Sequence, residues 1–415
     1  MNIKVDVLIV GAGAAGLAAL DRLRREPIET LVLEARDRIG GRAFTLAAPG
    51  ALPLDLGCGW LHSADRNPLV ALIEQKGFTI DKTPPPWAQE TDESEQEQAE
   101  TEQFYRAFTA FERRLATAAR IGMDRPAGDF LPPGGRWNGR MNSISCYYNG
   151  AGWDQVSVLG YAAYVDSGAD WRVREGYGAG LKALAAMDRI QLGCPVTVID
   201  HSGSSLKVET PKGTLNCRMA IVTVPTPLLA RGLIEFRPSL PDKAEAATGL
   251  PLGWAGKAFL ELLEPEGLPI DSPVSGRDPA KAVGYTLRPF GRPYIEAYFA
   301  GAEARDLDAE GPGAMIAFAL EDLVDQLGSA VRSRLRPICE TAWSVDPWAR
   351  GSYSYARPGC FSARRELGRP VENRLFFAGE ATHPHFFSTA HGAWLSGVRA
   401  AEEALVSLGA ETRPA

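Results

Sequence analysis

Val5-Asp6-Val7-Leu8-Ile9-Val10-Gly11-Ala12-Gly13-Ala14-Ala15-Gly16 stands at the start of the chain, and the reading of this stretch decides the fold. The run from Val5 to Val10 is apolar, short and rich in β-branched residues, so it predicts a buried strand rather than a helix. The glycines then fit a dinucleotide-binding turn. Gly11 permits the tight bend, Gly13 lets backbone approach a pyrophosphate, and Gly16 lets the next helix pack closely on the strand. Leu17, Leu20 and Leu23 follow at helical spacing. The N-terminus of that helix offers free N–H groups and a partial positive charge to phosphates. Thr30-Leu31-Val32-Leu33-Glu34 reads as the second strand of a βαβ start, and Glu34 falls 21 residues after Gly13, where a ribose-binding acid is expected. The glycine pattern alone also serves ordinary turns; its setting between a strand and an amphipathic helix is what carries the assignment.

The bulk properties bound the rest. The 415 residues suggest two or three folding units at roughly 150 residues each. A net charge of −7 argues against a nucleic-acid surface and gives no attraction to an anionic membrane. The six cysteines form no CxxC pair, so neither a zinc site nor a disulfide framework is expected, only reduced structural thiols. No apolar stretch reaches the ~20 residues of a membrane span, and the first apolar run leads straight into glycines without the form of a secretory leader. The expectation is a soluble, cytoplasmic protein.

After Glu34 come Ala35, Arg36 and Arg38-Ile39-Gly40-Gly41-Arg42, in which Arg42 can return to a pyrophosphate as a bidentate donor. Leu54-Asp55-Leu56-Gly57-Cys58-Gly59-Trp60-Leu61-His62 is a glycine-rich turn whose backbone suits a flat ring. From Thr83 the texture changes. Pro84-Pro85-Pro86 leads into an acidic, Gln-rich run, Glu90 to Gln103, expected to be a solvated helix face or loop, and then into a helical stretch around Phe104 to Leu115. Pro132-Pro133-Gly134-Gly135 marks a loop. Short strands are expected at Pro195–Ile199, Leu206–Glu209 and Ala220–Val224. Residues 251–335 alternate strands with one helix, Met315 to Leu327. The end returns to the pattern of the beginning, with a strand over Leu375–Ala378, then Gly379-Glu380, and a helix from about Thr389 to Leu405.

Five blocks in order resemble the flavin-containing amine oxidases, the family of monoamine oxidases, polyamine oxidases and lysine-specific histone demethylases. They are Gly11 to Gly16 with Glu34; Arg38 to Arg42; Asp55 to Trp60; Gly256-Lys257-Ala258-Phe259-Leu260; and the C-terminal portion from Trp343 to Ala401. The last holds Trp348-Ala349-Arg350-Gly351-Ser352-Tyr353, Phe377-Ala378-Gly379-Glu380-Ala381-Thr382 and His391-Gly392-Ala393-Trp394. The resemblance implies an α/β fold: a discontinuous Rossmann-like FAD-binding domain with a β-meander (1–82, 188–240 and 341–415) and an α+β substrate-binding domain (83–187 and 241–340). It implies that an amine is oxidised to an imine, which hydrolyses to an aldehyde or ketone, while dioxygen is reduced to hydrogen peroxide. The expected partners are a small amine and dioxygen, with no nucleic acid, no membrane and no metal, in a monomer or homodimer.

The same resemblance assigns residues. Gly11, Gly13, Ala15, Gly16, Glu34, Ala35, Arg36, Gly41, Arg42, Gly57, Gly59, Trp60, Val196, Trp348, Gly379, Glu380, Thr389 and Ala390 would hold FAD. Lys257 would position a water and supply positive charge beside the flavin; without the family it reads as an exposed lysine at a strand start. Tyr353 would form one wall of an aromatic cage that attracts and orients the amine. Thr389 stands where monoamine oxidases carry a second tyrosine, leaving half a cage. Ser352 replaces the cysteine to which those enzymes attach FAD, so non-covalent binding is expected. The alternatives are an α-amino-acid oxidase, with Arg172, Arg174, Arg288 or Arg292 for the carboxylate, a flavin-dependent desaturase, and a non-catalytic flavoprotein that serves as a binding partner. Cys146, Tyr147, Tyr148, Gln155, Tyr161 and Tyr164 read equally as pocket lining or core.

Overall fold

The computed structural model describes residues 4–48, 50, 52–88 and 95–409. The opening strand, Lys4–Val10, sits in the middle of an eight-stranded sheet. It pairs in parallel with Thr30–Leu33 on one side and with Gly213–Val222 on the other. Leu375–Phe377 adds in parallel to the far end of Gly213–Val222, whose near end runs antiparallel to Leu206–Thr210 and on to Val198–Asp200. The sheet is thus a parallel nucleotide-binding core continued by a meander. The helices Ala14–Leu23 and Ala390–Leu408 lie together against it, and at Gly397 a Cβ would come within 2.1 Å of the Ala15 carbonyl, so a side chain there would force the pair apart.

A second, five-stranded antiparallel sheet comes from 255–340, in the order Ser272–Ser275, Ala282–Leu287, Tyr294–Ala300, Ala255–Leu262, Leu335–Glu340. Period-two alternation separates its faces. Ala258, Leu260, Ile295, Ala297 and Phe299 pack into a core with residues of the helices Gly301–Glu310 and Ala314–Leu327. Lys257, Glu296 and Tyr298 take the opposite face. A helical layer, Glu95–Arg120 and Asn138–Asn149, closes over the assembly through Phe104, Phe111, Met141 and Trp153.

The mixed α/β fold with a Rossmann-like start is the expected one. Three details differ. Residues 251–335 hold two long helices rather than one, because Gly301–Glu310 is mostly charged and small and shows little apolar period. The acidic run joins the helix Glu95–Arg120 in its second half, while 89–94 lie outside the described residues. Lys257 lies inside its strand rather than at its start, and is 6% exposed.

Candidate active site

One cavity of about 880 Å³ runs from the glycine turn to the second sheet, within the usual range for cofactor and ligand pockets. It brings together Gly11, Gly13, Ala15, Glu34, Ala35, Arg36, Gly41, Arg42, Gly57, Gly59, Trp60, Val196, Lys257, Trp348, Tyr353, Gly379, Glu380, Thr389 and Ala390. Gly16 alone of the expected set is not on its wall; it lies behind, against the Gly11 carbonyl.

The nucleotide end is built by the first sheet. Glu34 is buried at the end of its strand and accepts the Ala12 N–H at 2.7 Å and the Arg36 N–H at 2.9 Å, which fixes the glycine turn. The helix Ala14–Leu23 begins at Gly13 with no side-chain cap, so its first N–H groups stay open to an anion. At Gly13 and Gly379 a Cβ would meet nothing within 4 Å, and both border the cavity. Open donors, a ribose-type acid and two cradle positions without side chains fit a dinucleotide. Arg42 bridges to the C-terminal portion, donating to the Ser352 carbonyl at 2.5 Å and pairing with Glu380 at 3.1 Å. Burial works to raise the Glu380 carboxyl, but Arg42, Ser354 and Arg364 prevail and hold it below the usual range.

The opposite end is built by strand register. Antiparallel pairing sets Lys257 directly across from Tyr298, with Glu296 one position along the same face. The Lys257 ammonium meets Glu296 at 2.8 Å and the Asp55 carbonyl at 2.9 Å. Burial would lower its pKa; the Glu296 carboxylate outweighs this and raises it, so the ammonium stays protonated. Tyr353 donates to the Tyr147 carbonyl at 2.8 Å and lies 2.8 Å from the Tyr298 hydroxyl. A phenol has one proton, and that of Tyr353 is taken by the carbonyl, so Tyr298 is the donor of the second bond. Burial pushes both phenols up, that of Tyr353 well up, keeping them neutral.

The profile of the flavin containing amine oxidoreductases matches residues 160–405, more than half of the chain. The chain belongs to this family. It is an FAD-dependent amine oxidase. A second profile, the NAD(P)-binding Rossmann-like domain, matches residues 9–75. The amine oxidase is 28% identical to the probable polyamine oxidase 4 of Arabidopsis thaliana, over 97% of this chain and 87% of the relative. It is also 28% identical to the lysine-specific histone demethylase 2 of Homo sapiens, but spans only 53% of that protein's length. In fold it is similar to a putrescine oxidase solved with putrescine bound, at TM-score 0.80 and 20% identity, over 98% of this chain and 100% of the other. Cyclohexylamine oxidase from Brevibacterium oxydans IH-35A superposes at TM-score 0.77 and 21% identity, over 98% and 99%.

Several sequence expectations change in this amine oxidase. Thr389 is the N-cap of the last helix: its hydroxyl accepts from the Gly392 N–H at 3.0 Å and donates to the Phe386 carbonyl at 2.7 Å, leaving no hydroxyl proton for a substrate. The aromatic partner of Tyr353 is instead Tyr298, with Tyr147 stacked on it at 5.8 Å. Glu296 and Tyr298 escaped the sequence reading, although the alternation Tyr294, Glu296, Tyr298 was there to find. Tyr147 and Tyr148 line the cavity. Tyr161 packs edge-on against Trp153 and Tyr164 against Phe387, both half-buried, while Gln155 is exposed and accepts from Tyr355; none of the three is on the cavity wall. Arg172, Arg174, Arg288 and Arg292 are not on the cavity wall; Arg172 pairs with Asp271 at 2.6 Å and Arg288 donates to the Leu268 carbonyl. No α-carboxylate site arises from them, and the relatives do not favour that alternative. Among the described residues, no helix is long and apolar enough to cross a membrane.

His391, in the first turn of the last helix, is 2% exposed and its Nε2 has no partner. Burial, helped by His62 and His383, drives its pKa down to about 3. The folded protein therefore holds it neutral, whereas the unfolded chain takes a proton near pH 6.5. Its contribution to stability is complete above that pH and falls by about 1.4 kcal/mol for each unit of acidification toward the folded value. His391→Phe should flatten the dependence of Tm on pH between 6 and 4; an unchanged slope would exclude His391 as its source.

Proposed function

We propose that this amine oxidase binds FAD without a covalent link and orients a small amine between Tyr353, Tyr298 and the start of the last helix, beside Lys257. The observation that supports this most directly is the register that puts Lys257 opposite Tyr298, one strand from Glu296, in the cavity that also holds the nucleotide turn. A bound flavin would supply the two-electron acceptor: the amine α-C–H would give up two electrons and a proton, the nitrogen a second proton, and dioxygen would take both electrons and both protons as hydrogen peroxide. The chain's residues do the rest. Gly13 and the N-terminus of its helix hold the pyrophosphate, and Glu34 holds the ribose. The faces of Tyr353 and Tyr298 attract the amine and, being tied to each other and to the Tyr147 carbonyl, turn little once it is in place. Two of the three Lys257 donors are used by Glu296 and Asp55, and the third is left to hold a water in the cavity. Glu296 neutralises most of the lysine's charge, so Lys257 acts as a directed donor more than as a free cation. Thr389 and Ala390 open the last helix on the cavity wall, so its positive end would favour negative charge on a reduced flavin held there.

Ser352 donates to the Gly253 carbonyl at 2.7 Å and has no thiol to offer. Cys58 is the one cysteine on the described cavity wall, and burial pushes its thiol up to about 11, far from the reactive thiolate. Denaturation by acid or urea should release all the yellow chromophore to the supernatant; colour retained on the protein would refute non-covalent binding. The function itself is tested by anaerobic bleaching of the holoprotein with primary, secondary and polyamines, followed by a peroxide assay in air. Bleaching by at least one amine with stoichiometric peroxide is expected, and a protein bleached by none of them would overturn the reading.

A further inference from the structure

Five cationic side chains line the cavity among the described residues, and four of them are neutralised: Arg36, Arg42, Lys257 and Lys281 each meet a carboxylate within 3.1 Å. Arg140 is the exception. No carboxylate of the described residues pairs with it, and its guanidinium rests over the Phe104 ring, 4.1 Å from the centroid. It stands in the first turn of the helix Asn138–Asn149, where the helix dipole opposes a positive charge, so the Phe104 face is the one local group that favours the cation and no anion balances it among the described residues. The carboxylates on the same wall, Glu34, Glu296 and Glu380, are already engaged by Ala12, Lys257 and Arg42.

The helix that carries Arg140 also supplies a ruler. Tyr147, whose carbonyl takes the Tyr353 proton, is seven residues further on, and Ser143, Ile144 and Tyr147 continue the cavity-lining face from Arg140. Two turns correspond to roughly 10 Å along the axis. Between the two ends the wall is apolar and aromatic, with Ile144, Phe108, Val283 and Tyr148. We infer that Arg140 is a specificity-determining residue: the enzyme takes amines with an apolar body and an anionic group, such as a carboxylate, about two helical turns from the oxidised carbon, and disfavours diamines and polyamines. A second ammonium at that distance would meet Arg140 and find no free carboxylate. An α-amino acid does not satisfy the geometry, since its carboxylate is bonded to the carbon that is oxidised. The inference rests on the amine-oxidase reading with Tyr353 at the amine end.

The test uses holoenzyme and three series of stepped chain length: ω-amino carboxylates, n-alkylamines and α,ω-diamines. The wild type should prefer an ω-amino carboxylate of optimal length over the alkylamine and diamine of that length by roughly tenfold or more in kcat/KM, the worth of one charge-assisted hydrogen bond. In R140Q the ratio of carboxylate to alkylamine should fall by a similar factor, mainly through KM, and R140K should restore part of it. Should R140Q not fold, R140K is read alone and a partial fall in the ratio is expected. A preference for diamines, or a ratio unmoved in the Arg140 variants while alkylamines are oxidised, overturns the inference and leaves the amine-oxidase reading standing. Oxidation of no amine in any series defeats that reading, and the inference with it.

Discussion

Lys257→Met should leave a protein that still binds FAD but makes peroxide from amine roughly 10²–10³-fold more slowly, the usual cost of removing one preorganised donor from a buried site. The substitution has a second consequence, because Lys257 is the only cation among the described residues that Glu296 pairs with. Removing one member of a fully buried pair costs about 3–5 kcal/mol; Glu296 keeps 23% of its side chain exposed, so the loss here should fall below that range. The double variant Lys257→Met/Glu296→Gln removes that charge, so it should recover most of the lost stability and none of the turnover. The two measurements separate structure from chemistry. Turnover restored in the double variant would mean that the lysine serves only to neutralise Glu296, and normal turnover in the single variant would remove it from the mechanism.

Gly13→Ala and Gly16→Ala should fail in different ways, three residues apart. Gly13 has an ordinary φ of −77°, and a Cβ there would meet no protein atom within 4 Å. Alanine is therefore compatible with the fold, and the apoprotein should be as stable as the wild type or more so by about 0.4–1 kcal/mol. The new methyl instead occupies the space assigned to the pyrophosphate. Overpacking of about 1–3 kcal/mol would weaken FAD by roughly ten- to a hundredfold. At Gly16 the Cβ would lie 1.9 Å from the Gly11 carbonyl oxygen, an impossible contact with backbone. That variant should lose stability whether or not FAD is added. Circular dichroism melts of both apoproteins, with a flavin titration, distinguish the cases. Full FAD affinity in Gly13→Ala would place the pyrophosphate elsewhere.

The nucleotide end was legible in the sequence because its determinants are local. Strand, turn, helix and ribose acid follow one another from Val5 to Glu34, each with its own period or spacing. The proposed amine end was only half legible. Lys257 and Tyr353 were found by resemblance, but Glu296 and Tyr298 meet them through an antiparallel register that joins residues 41 positions apart, from Lys257 to Tyr298. Alternation in Tyr294–Ala300 shows that one face is polar and does not say what that face meets. Thr389 occupies the position of the missing second tyrosine, and the sequence left open what its hydroxyl does; it follows the rule that threonine caps helices. Gln155, Tyr161 and Tyr164 have the composition of a pocket, yet the first is exposed and the two tyrosines pack half-buried against Trp153 and Phe387, a distinction that only packing can make.

The opening strand has a long wait. Lys4–Val10 leaves the ribosome well before its parallel neighbour Gly213–Val222, more than 200 residues downstream, and the strand Leu375–Phe377 that completes that edge comes later still. At about 5–20 residues per second, some tens of seconds separate the first strand from its partner. During synthesis the glycine turn is thus an apolar ribbon with one open side, and cofactor loading belongs to the finished chain. Production yield should therefore respond more to chaperone supply and translation speed than to flavin added during growth.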